Sequence, residues 1–226
     1  MKPKPKTPVY GTVPRIWHHS SATCVILGSG PSLTREDVEY AMDFADGVIA
    51  VNDAYLYAPD CLALYAADDK WWRWHQGCLT AHKMPTGKHY PAFTGTYRYT
   101  LGKTNFANVH ILRKGPETGL ASDPSYVALG RNGVYQATNV AIHFGAKRIL
   151  YLGVDMQGQP GSHFFGRHPD NSGPPFLVSI ERFATLVKPL KAQGVSVINC
   201  TRQTALKCFP CEALEIALPS IDRIAM

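Results

Sequence analysis

Long hydrophobic runs are missing from this sequence. No segment stays apolar over the roughly 20 residues that a membrane-spanning helix needs. The basic start of the chain, residues 1–6, is followed by a proline-rich stretch where a secretory signal peptide would need an apolar one. We therefore expect neither a transmembrane helix nor a signal peptide, and we predict a cytoplasmic protein.

The chain has six cysteines in 226 residues, and the sequence favours no disulfides. Cys24, Cys61 and Cys200 lie in or beside apolar segments, which is typical of buried thiols in a reducing compartment. Cys208 and Cys211 form a Cys-x-x-Cys pair. A structural metal site needs further ligands, and the chain has no second such pair, so no metal site is predicted.

Charge is sparse and weakly biased. Charged residues make up 18% of the chain and hydrophobic residues 45%, a composition typical of a globular protein. The formal net charge of +6 favours anionic ligands in general, whether a nucleotide, a nucleotide-sugar or a nucleic acid. A clustered basic helix and a recognised DNA-reading motif are both missing, so nucleic acid is the less favoured partner.

The length of the chain suits one domain with a sizeable core. Part of the positive charge lies in residues 1–6, which are expected to be extended and solvated. No internal repeat or linker divides the rest. We predict an extended basic tail over residues 1–20 and a single Rossmann-like nucleotide-binding domain over residues 21–226, and we leave formation of a homo-oligomer open.

Apolar segments typical of buried strands alternate along the chain with helical patterns. The predicted strands are residues 24–27, 47–51, 62–66, 109–112, 148–152 and 196–199. The predicted helices are residues 34–42, 70–75, 133–144, 176–193 (kinked or ended near Pro189) and 212–218. Loops with one weak strand are predicted over residues 76–108, and a polar loop over 157–175. Strands separated by helices pair in parallel, which predicts an α/β fold: one Rossmann-like domain, a mostly parallel sheet and helices on both faces.

The turn between the first strand and the first helix is Gly28-Ser29-Gly30-Pro31-Ser32. Its glycines would let the backbone approach a phosphate closely, and Pro31 suits the first turn of a helix. Exposed amides and the helix dipole would then favour an anion. The third glycine of the dinucleotide fingerprint and the Gly-Lys-Ser/Thr ending of a P-loop are missing, so a plain strand-to-helix turn is an equal alternative.

Further candidate ligand residues directly follow three other predicted strands, and they are Asn52, Asp53, Asp68, Gly153 and Asp155. The carboxyl ends of parallel strands meet at one edge of the sheet, beside the glycine turn. Asn52 could bind ribose or phosphate there, and Asp155 could hold a hydroxyl, a base amine or Mg²⁺. Each residue alone is better explained as a helix cap or turn, but together they favour a binding site.

The helix predicted over residues 133–144 has Asn132 at the position of its N-cap. The same helix start, with Arg131 and Gly133, could present amide groups and a positive charge to an anionic group. The capping role and the ligand role are compatible.

The run Trp71-Trp72-Arg73-Trp74 could stack a sugar, a pterin or a base. At least two of its three tryptophans are instead expected to pack on the sheet.

Five segments occur in the same order in a known superfamily, and they are Gly-Ser-Gly-Pro-Ser-Leu, Val-Asn-Asp, Asn-Gly-Val-Tyr-Gln-Ala, Ile-Leu-Tyr-Leu-Gly-Val-Asp and His-Phe-Phe-Gly-Arg-His. On these segments the chain resembles bacterial sialyltransferases that make lipooligosaccharide, motility-accessory-factor glycosyltransferases and archaeal 6-hydroxymethyl-dihydropterin pyrophosphokinases. The resemblance runs from residue 24 to residue 210, and it is greatest to members of the superfamily from tailed bacteriophages.

This resemblance implies a nucleotide-dependent group transferase, glycosyltransferase-like, with a CMP-sugar-like donor and no required cofactor. It assigns Gly28, Ser29, Gly30 and Asn52 to the nucleotide, and it places residues 131–133 where the sialyltransferases have a nucleotide-contacting Thr-Ser-Gly. The chain departs from the sialyltransferases at Ser29, where they have asparagine.

The resemblance also implies a histidine general base, His168 in preference to His163. Arg167 or Arg131 would stabilise the leaving phosphate. The tyrosines that hold the donor phosphate in the sialyltransferases are not evident after Asp155.

Two alternatives remain. In a Mg²⁺-dependent pyrophosphokinase of the hydroxymethylpterin type, Asp155, Asp53 or Asp68 would bind the metal. The protein could instead be a non-catalytic phage protein that binds a nucleotide or nucleic acid.

Overall fold

The computed structural model describes residues 10–83, 87–158, 162–164, 166–167 and 176–220. The strands in chain order are β1 (Thr23–Leu27), β2 (Gly47–Val51), β3 (Ala63–Tyr65), β4 (His82–Lys83), β5 (His89–Tyr90), β6 (Tyr97–Thr100), β7 (His110–Ile111), β8 (Arg113–Lys114), β9 (Tyr126–Val127), β10 (Arg148–Leu152), β11 (Ser162–His163), β12 (Gly166–Arg167) and β13 (Ser196–Asn199). Seven of them form a parallel sheet in the order β13-β10-β1-β2-β3-β6-β7.

The helices are α1 (Arg35–Phe44), α2 (Asp69–Trp74), α3 (Gly133–Phe144), α4 (Phe176–Ala184), α5 (Val187–Ala192) and α6 (Leu214–Ala217), with two 3-10 helices at Asn52–Leu56 and Gln76–Cys78. α1 begins where the Thr34 hydroxyl accepts the amide of Asp37 at 3.1 Å. α3 ends at Gly145, whose φ of 106° is readily adopted only by glycine. None of the helices in the described residues has the length and apolar character that crossing a bilayer requires.

Successive residues of the central strands face opposite sides of the sheet. In β1, Ile26 packs in the cluster that contains α3, α4 and α5, whereas Val25 and Leu27 pack in the cluster that contains α1, α2 and α6. All five residues of β1 are buried, which explains its unbroken apolar sequence. The predicted α/β fold, with a mostly parallel sheet and helices on both faces, is confirmed.

β1 lies in the middle of the sheet, with β2 on one side and β10 on the other. Ligands of such sheets bind outside the carboxyl ends of the strands, where the strand order reverses. We call the ends of β1, β2, β3 and β10, with the loops that leave them, the carboxyl edge. Gly28, Asn52 and Gly153 lie there because each directly follows one of these strands.

Residues 10–20 pack on the domain, so the extension of the predicted basic tail to residue 20 is wrong. Val13 and Trp17 are buried in the core. The amide of Trp17 donates to the carbonyl of Phe144, at the end of α3, at 2.8 Å. The basic residues at the start of the sequence suggested a longer tail than the apolar side chains allow, and residues 1–9 lie outside the described residues.

Residues 76–108 contain more structure than the single weak strand predicted. β6 joins the central sheet beside β3, and β4 and β5 form an antiparallel pair. β6 lacks a long apolar run because it carries Arg98, whose guanidinium lies 4.8 Å from the ring centre of Phe93. The sequence of β6 alone therefore did not reveal its place in the sheet.

The helix predicted over residues 176–193 is divided into α4 and α5. Pro189 lacks an amide hydrogen, and its ring crowds the carbonyl four residues earlier, which is that of Thr185. The break lies there: the amides of Thr185 and Leu186 donate to carbonyls three residues back, at 2.9 and 3.0 Å. The predicted effect of Pro189 is confirmed, although the interruption precedes the proline.

Cys24, Cys61 and Cys200 are buried free thiols, as predicted. Burial raises the pKa of Cys61 and of Cys200 to about 12. Neither side chain is therefore a nucleophilic thiolate at neutral pH.

Candidate functional site

The turn at residues 28–32 packs directly on the end of β10. The amide of Gly28 donates to the carbonyl of Leu152 at 2.7 Å, and the amide of Gly30 donates to the carbonyl of Gly153 at 2.8 Å. A Cβ atom on Gly30 would lie 2.6 Å from the same Gly153 oxygen. The glycines are therefore required for close contact between two backbone segments, and this contact uses amides that the sequence had suggested for a phosphate.

Asp155 fills the position at which the sequence predicted a bound anion. Its side chain is 5% exposed, and it accepts the Ser32 amide at 3.1 Å and the Ser32 hydroxyl at 2.8 Å. Pro31 precedes α1 instead of lying in its first turn, because the helix begins only at Arg35. The prediction of exposed amides at this junction is therefore wrong for Ser32, as it is for the two glycines.

Burial raises the pKa of Asp155 above its ordinary value of 3.8, while the hydrogen bonds from Ser32 act in the opposite direction. An acid whose pKa is raised by folding binds its proton more tightly in the folded protein. Its contribution to stability is therefore lost as the pH rises from 3.8 through the folded-state pKa. As the pH rises above about 4, we predict that the free energy of unfolding of Asp155→Asn falls less than that of the wild type, as measured by urea unfolding. A difference between the two proteins that stays constant with pH would contradict this prediction.

Three of the predicted ligand residues lie around Val51, the last residue of β2. The Ser29 hydroxyl donates to the Val51 carbonyl at 3.0 Å. A Cβ atom on Gly133 would lie 2.7 Å from Cγ1 of Val51 and 4.0 Å from Nδ2 of Asn52. Asn52 and Gly133 are both half-buried, so solvent reaches them. The carboxyl edge thus brings Ser29, Asn52 and the start of α3 together.

The start of α3 is electropositive. Asn132 caps the helix as predicted, because its Oδ1 accepts the amides of Val134 at 2.9 Å and Tyr135 at 3.3 Å. The amide of Gly133, at the first helical position, lies outside these two capping bonds. Arg131 is exposed immediately before the cap. A full positive charge therefore adds to the positive end of the dipole of a 12-residue helix.

His163 lies against the glycine turn. Its Nδ1 is 3.2 Å from the carbonyl oxygen of Ser29, and the amide of Phe164 donates to the same oxygen at 3.3 Å. Since a carbonyl oxygen only accepts, Nδ1 carries the hydrogen, and the neutral ring has its lone pair on Nε2. This is the tautomer that a general base acting through Nε2 requires.

Sequence reasoning missed an aromatic group beside His163. The rings of Phe164 and Tyr57 are 4.4 Å apart, and the guanidinium of Arg35 lies 4.8 Å from the ring centre of Tyr57. Arg35 begins α1 and Tyr57 follows the 3-10 helix after β2, so no local pattern connects them. The position of Phe164 next to a candidate base was the only available signal.

Some predicted site residues do not join this group. Asp53 is 2% exposed, and its carboxylate accepts Nε1 of Trp71 at 2.6 Å, so it faces the core. Asp68 is exposed at the end of β3, and its side chain makes no capping bond to α2. His168 and the side chain of Arg167 lie outside the described residues, and their roles stay predictions.

The tryptophan run is mainly structural. Trp71 and Trp72 are buried, which confirms the expectation that at least two of the three tryptophans pack on the sheet. Trp74 is half-buried, with Nζ of Lys70 4.8 Å from its ring centre.

Comparisons of the chain with models of protein families, with curated proteins and with solved structures found no match. The candidate site is therefore defined by the geometry of its own residues. We call Ser29, Asn52, Arg131, Gly133 and His163 the edge site.

Proposed function

We propose that this protein is a nucleotide-dependent group transferase that binds its donor at the edge site. The observation that carries the proposal is the convergence of Ser29, Asn52 and the start of α3 around Val51. Open α/β sheets bind their ligands at this edge. The resemblance to sialyltransferases favours a nucleotide-activated, CMP-sugar-like donor.

The donor phosphates are proposed to bind at the start of α3 instead of at residues 28–32. The amides of Gly28, Gly30 and Ser32 are used by the carbonyls of Leu152 and Gly153 and by Asp155. The start of α3 offers the Gly133 amide, the positive end of the helix dipole and the exposed Arg131. The anion site is therefore at a different helix from the one that the glycine pattern suggested.

His163 is proposed as the general base of an inverting transfer. Its Nε2 takes the proton of an acceptor hydroxyl while the acceptor oxygen bonds to the anomeric carbon of the donor sugar. The bond between that carbon and the phosphate oxygen breaks, and the nucleotide leaves with the electron pair. Arg131 and the Gly133 amide stabilise the charge that develops on the leaving phosphate. His168 remains the other candidate base.

A Mg²⁺-dependent pyrophosphokinase is less well supported. The carboxylates proposed as metal ligands do not converge: Asp155 is hydrogen-bonded to Ser32, Asp53 accepts from Trp71, and Asp68 is exposed beyond β3. Among the residues that the structure describes, no three histidine, cysteine or acidic side chains are grouped so as to hold a metal ion. The three candidate carboxylates therefore do not form one shared Mg²⁺ site.

A thermal-shift screen with CMP, UDP, GDP, ADP and ATP, with and without Mg²⁺, tests the binding step. A ligand that binds only the folded protein raises its melting temperature. We expect at least one nucleotide to do so without Mg²⁺, and Asn52→Gly to reduce the shift. Glycine readily adopts the φ of 51° found at Asn52, so this variant removes the side-chain amide without straining the backbone.

Arg131→Ala is the second arm of the screen, and Arg15→Ala is its matched control. Both arginines are exposed, but Arg15 lies with Lys147 in a cavity that contains no edge-site residue. We expect Arg131→Ala to weaken nucleotide binding by roughly tenfold or more, since hydrogen bonds to charged groups contribute about 1.5–3 kcal/mol, and Arg15→Ala to leave it unchanged. The proposal is wrong if no nucleotide shifts the melting temperature or if the shift survives both Asn52→Gly and Arg131→Ala. A shift that requires Mg²⁺ would favour the pyrophosphokinase, and DNA binding without any nucleotide shift would favour the non-catalytic alternative.

A further inference from the structure

Asn52 has an unusual backbone for the residue at the centre of the edge site. Its φ is 51°, in the left-handed region, where a residue other than glycine is held only by its surroundings. Asparagine tolerates this conformation better than most residues. The direction of the Asn52 side-chain amide therefore depends on what fixes the 3-10 helix that begins at Asn52.

The next residue, Asp53, is anchored in the core. Its carboxylate accepts Nε1 of Trp71 at 2.6 Å and lies 3.4 Å from Nε2 of His75. Nδ1 of His75 is in turn 3.0 Å from the hydroxyl of Tyr55, in the same 3-10 helix. The 3-10 helix is thus joined to α2 and to His75 at its C-cap by the hydrogen bond from Trp71 to Asp53, the hydrogen bond between His75 and Tyr55, and the close approach of His75 to Asp53.

This anchor has little freedom to move. His75 is 1% exposed, Asp53 2% and Tyr55 0%. The ring of His75 stacks on Trp71 at 4.0 Å and 22°, with the ring of Tyr90 4.8 Å away at 82°. Buried polar groups held in this way keep one arrangement, because any other leaves donors or acceptors unpaired.

We infer that Asp53 is a positioning residue that fixes the left-handed backbone of Asn52 and so directs the Asn52 side-chain amide toward Gly133. This inference rests on the proposed function for its consequence, nucleotide binding, but not for its structural part. Asp53 acts from the core and makes no contact with the donor. It is the orienting partner of a ligand-binding side chain, comparable to the carboxylates that orient metal-binding histidines.

The test is Asp53→Asn, which keeps the size of the side chain and removes its charge. We expect the affinity for the nucleotide found in the screen to fall by roughly tenfold, the lower end of what loss of an orienting partner costs at metal sites. In the same variant without nucleotide, the NMR signals of the Asn52 backbone and side-chain amides should shift. If the wild type binds no nucleotide, the proposed function is wrong, and the Asn52 signals of Trp71→Phe, which leaves the chain neighbours of Asn52 unchanged, still decide whether Asp53 positions Asn52.

Trp71→Phe is the second variant, and it covers the case in which Asp53→Asn does not fold. It removes the Nε1 donor to Asp53 together with one ring of the buried indole, and it keeps an aromatic ring. The control is Tyr40→Phe, which removes a hydroxyl donor from another aromatic residue. That hydroxyl, in α1, donates to the carbonyl of Leu218, just after α6, at 2.8 Å. We expect Trp71→Phe to shift the Asn52 signals and weaken binding, and Tyr40→Phe to do neither. Unchanged Asn52 signals in Trp71→Phe, or the same shift in Tyr40→Phe, would overturn the inference.

Discussion

Gly30→Ala should lower the free energy of unfolding by roughly 3 kcal/mol, the upper part of the range for overpacked sites. The new Cβ would overlap a carboxylate oxygen of Asp155 and lie 2.6 Å from the carbonyl oxygen of Gly153. The carboxylate can rotate, but the carbonyl belongs to the backbone at the end of β10 and cannot move without disturbing the sheet. Urea unfolding of the purified variant measures the change.

Gly119→Ala is the control for this prediction. Gly119 has a φ of 81° and no atom within 4 Å of the added Cβ, so the substitution strains the backbone without a clash. We expect it to cost about 1 kcal/mol. The φ of Gly30 is not positive, so the two variants separate steric overlap from backbone strain. A cost for Gly30→Ala no greater than that of Gly119→Ala would show that the turn is not closely packed on β10.

His163→Ala should reduce the transfer rate by roughly a hundredfold to ten-thousandfold, which is the usual cost of losing a general base. The neutral ring places its lone pair on Nε2, because Nδ1 donates to the Ser29 carbonyl at 3.2 Å. Nucleotide affinity should change much less than the rate, since the base acts on the acceptor. Steady-state kinetics with the donor found in the screen separates the two effects.

The control is His163→Asn, because the asparagine amide can replace Nδ1 as the donor to Ser29 but supplies no base at the position of Nε2. If Nε2 is the base, His163→Asn should be as slow as His163→Ala. A rate restored in His163→Asn would mean that the contact with Ser29 matters and the base does not. His168→Ala completes the set: a large loss there, with His163→Ala near wild type, would assign the base to His168.

Most of the sheet could be predicted from the sequence because its central strands are buried on both sides. β2, β10 and β13 have the predicted bounds, and the bounds of α3 are also as predicted. β6 was missed because its polar Arg98 is stabilised in the sheet only by contact with neighbours such as Phe93. Local patterns identify an element when its own side chains make its burial favourable, and fail when distant residues do so.

The candidate site was predicted in part. The parallel order of the strands brings Ser29, Asn52 and Gly133 to one edge, as the polar residues after the strands had indicated. The sequence could not show that Asp53 would face the opposite way from Asn52. That depends on the left-handed turn at Asn52 and on the partners that α2 supplies to the buried carboxylate.

The local sequence was enough to identify the central strands β1, β2, β3, β10 and β13, their parallel pairing, and the residues that follow them at the carboxyl edge, because these properties depend on runs of neighbouring side chains. The role of the glycine turn, in contrast, depends on the folded chain. Ser32 and Asp155 are 123 positions apart in the chain, and a turn that is open to a phosphate has the same local sequence as one closed by a distant carboxylate. Whether an amide is available for a ligand depends on what else packs against it, and that is a property of the folded chain.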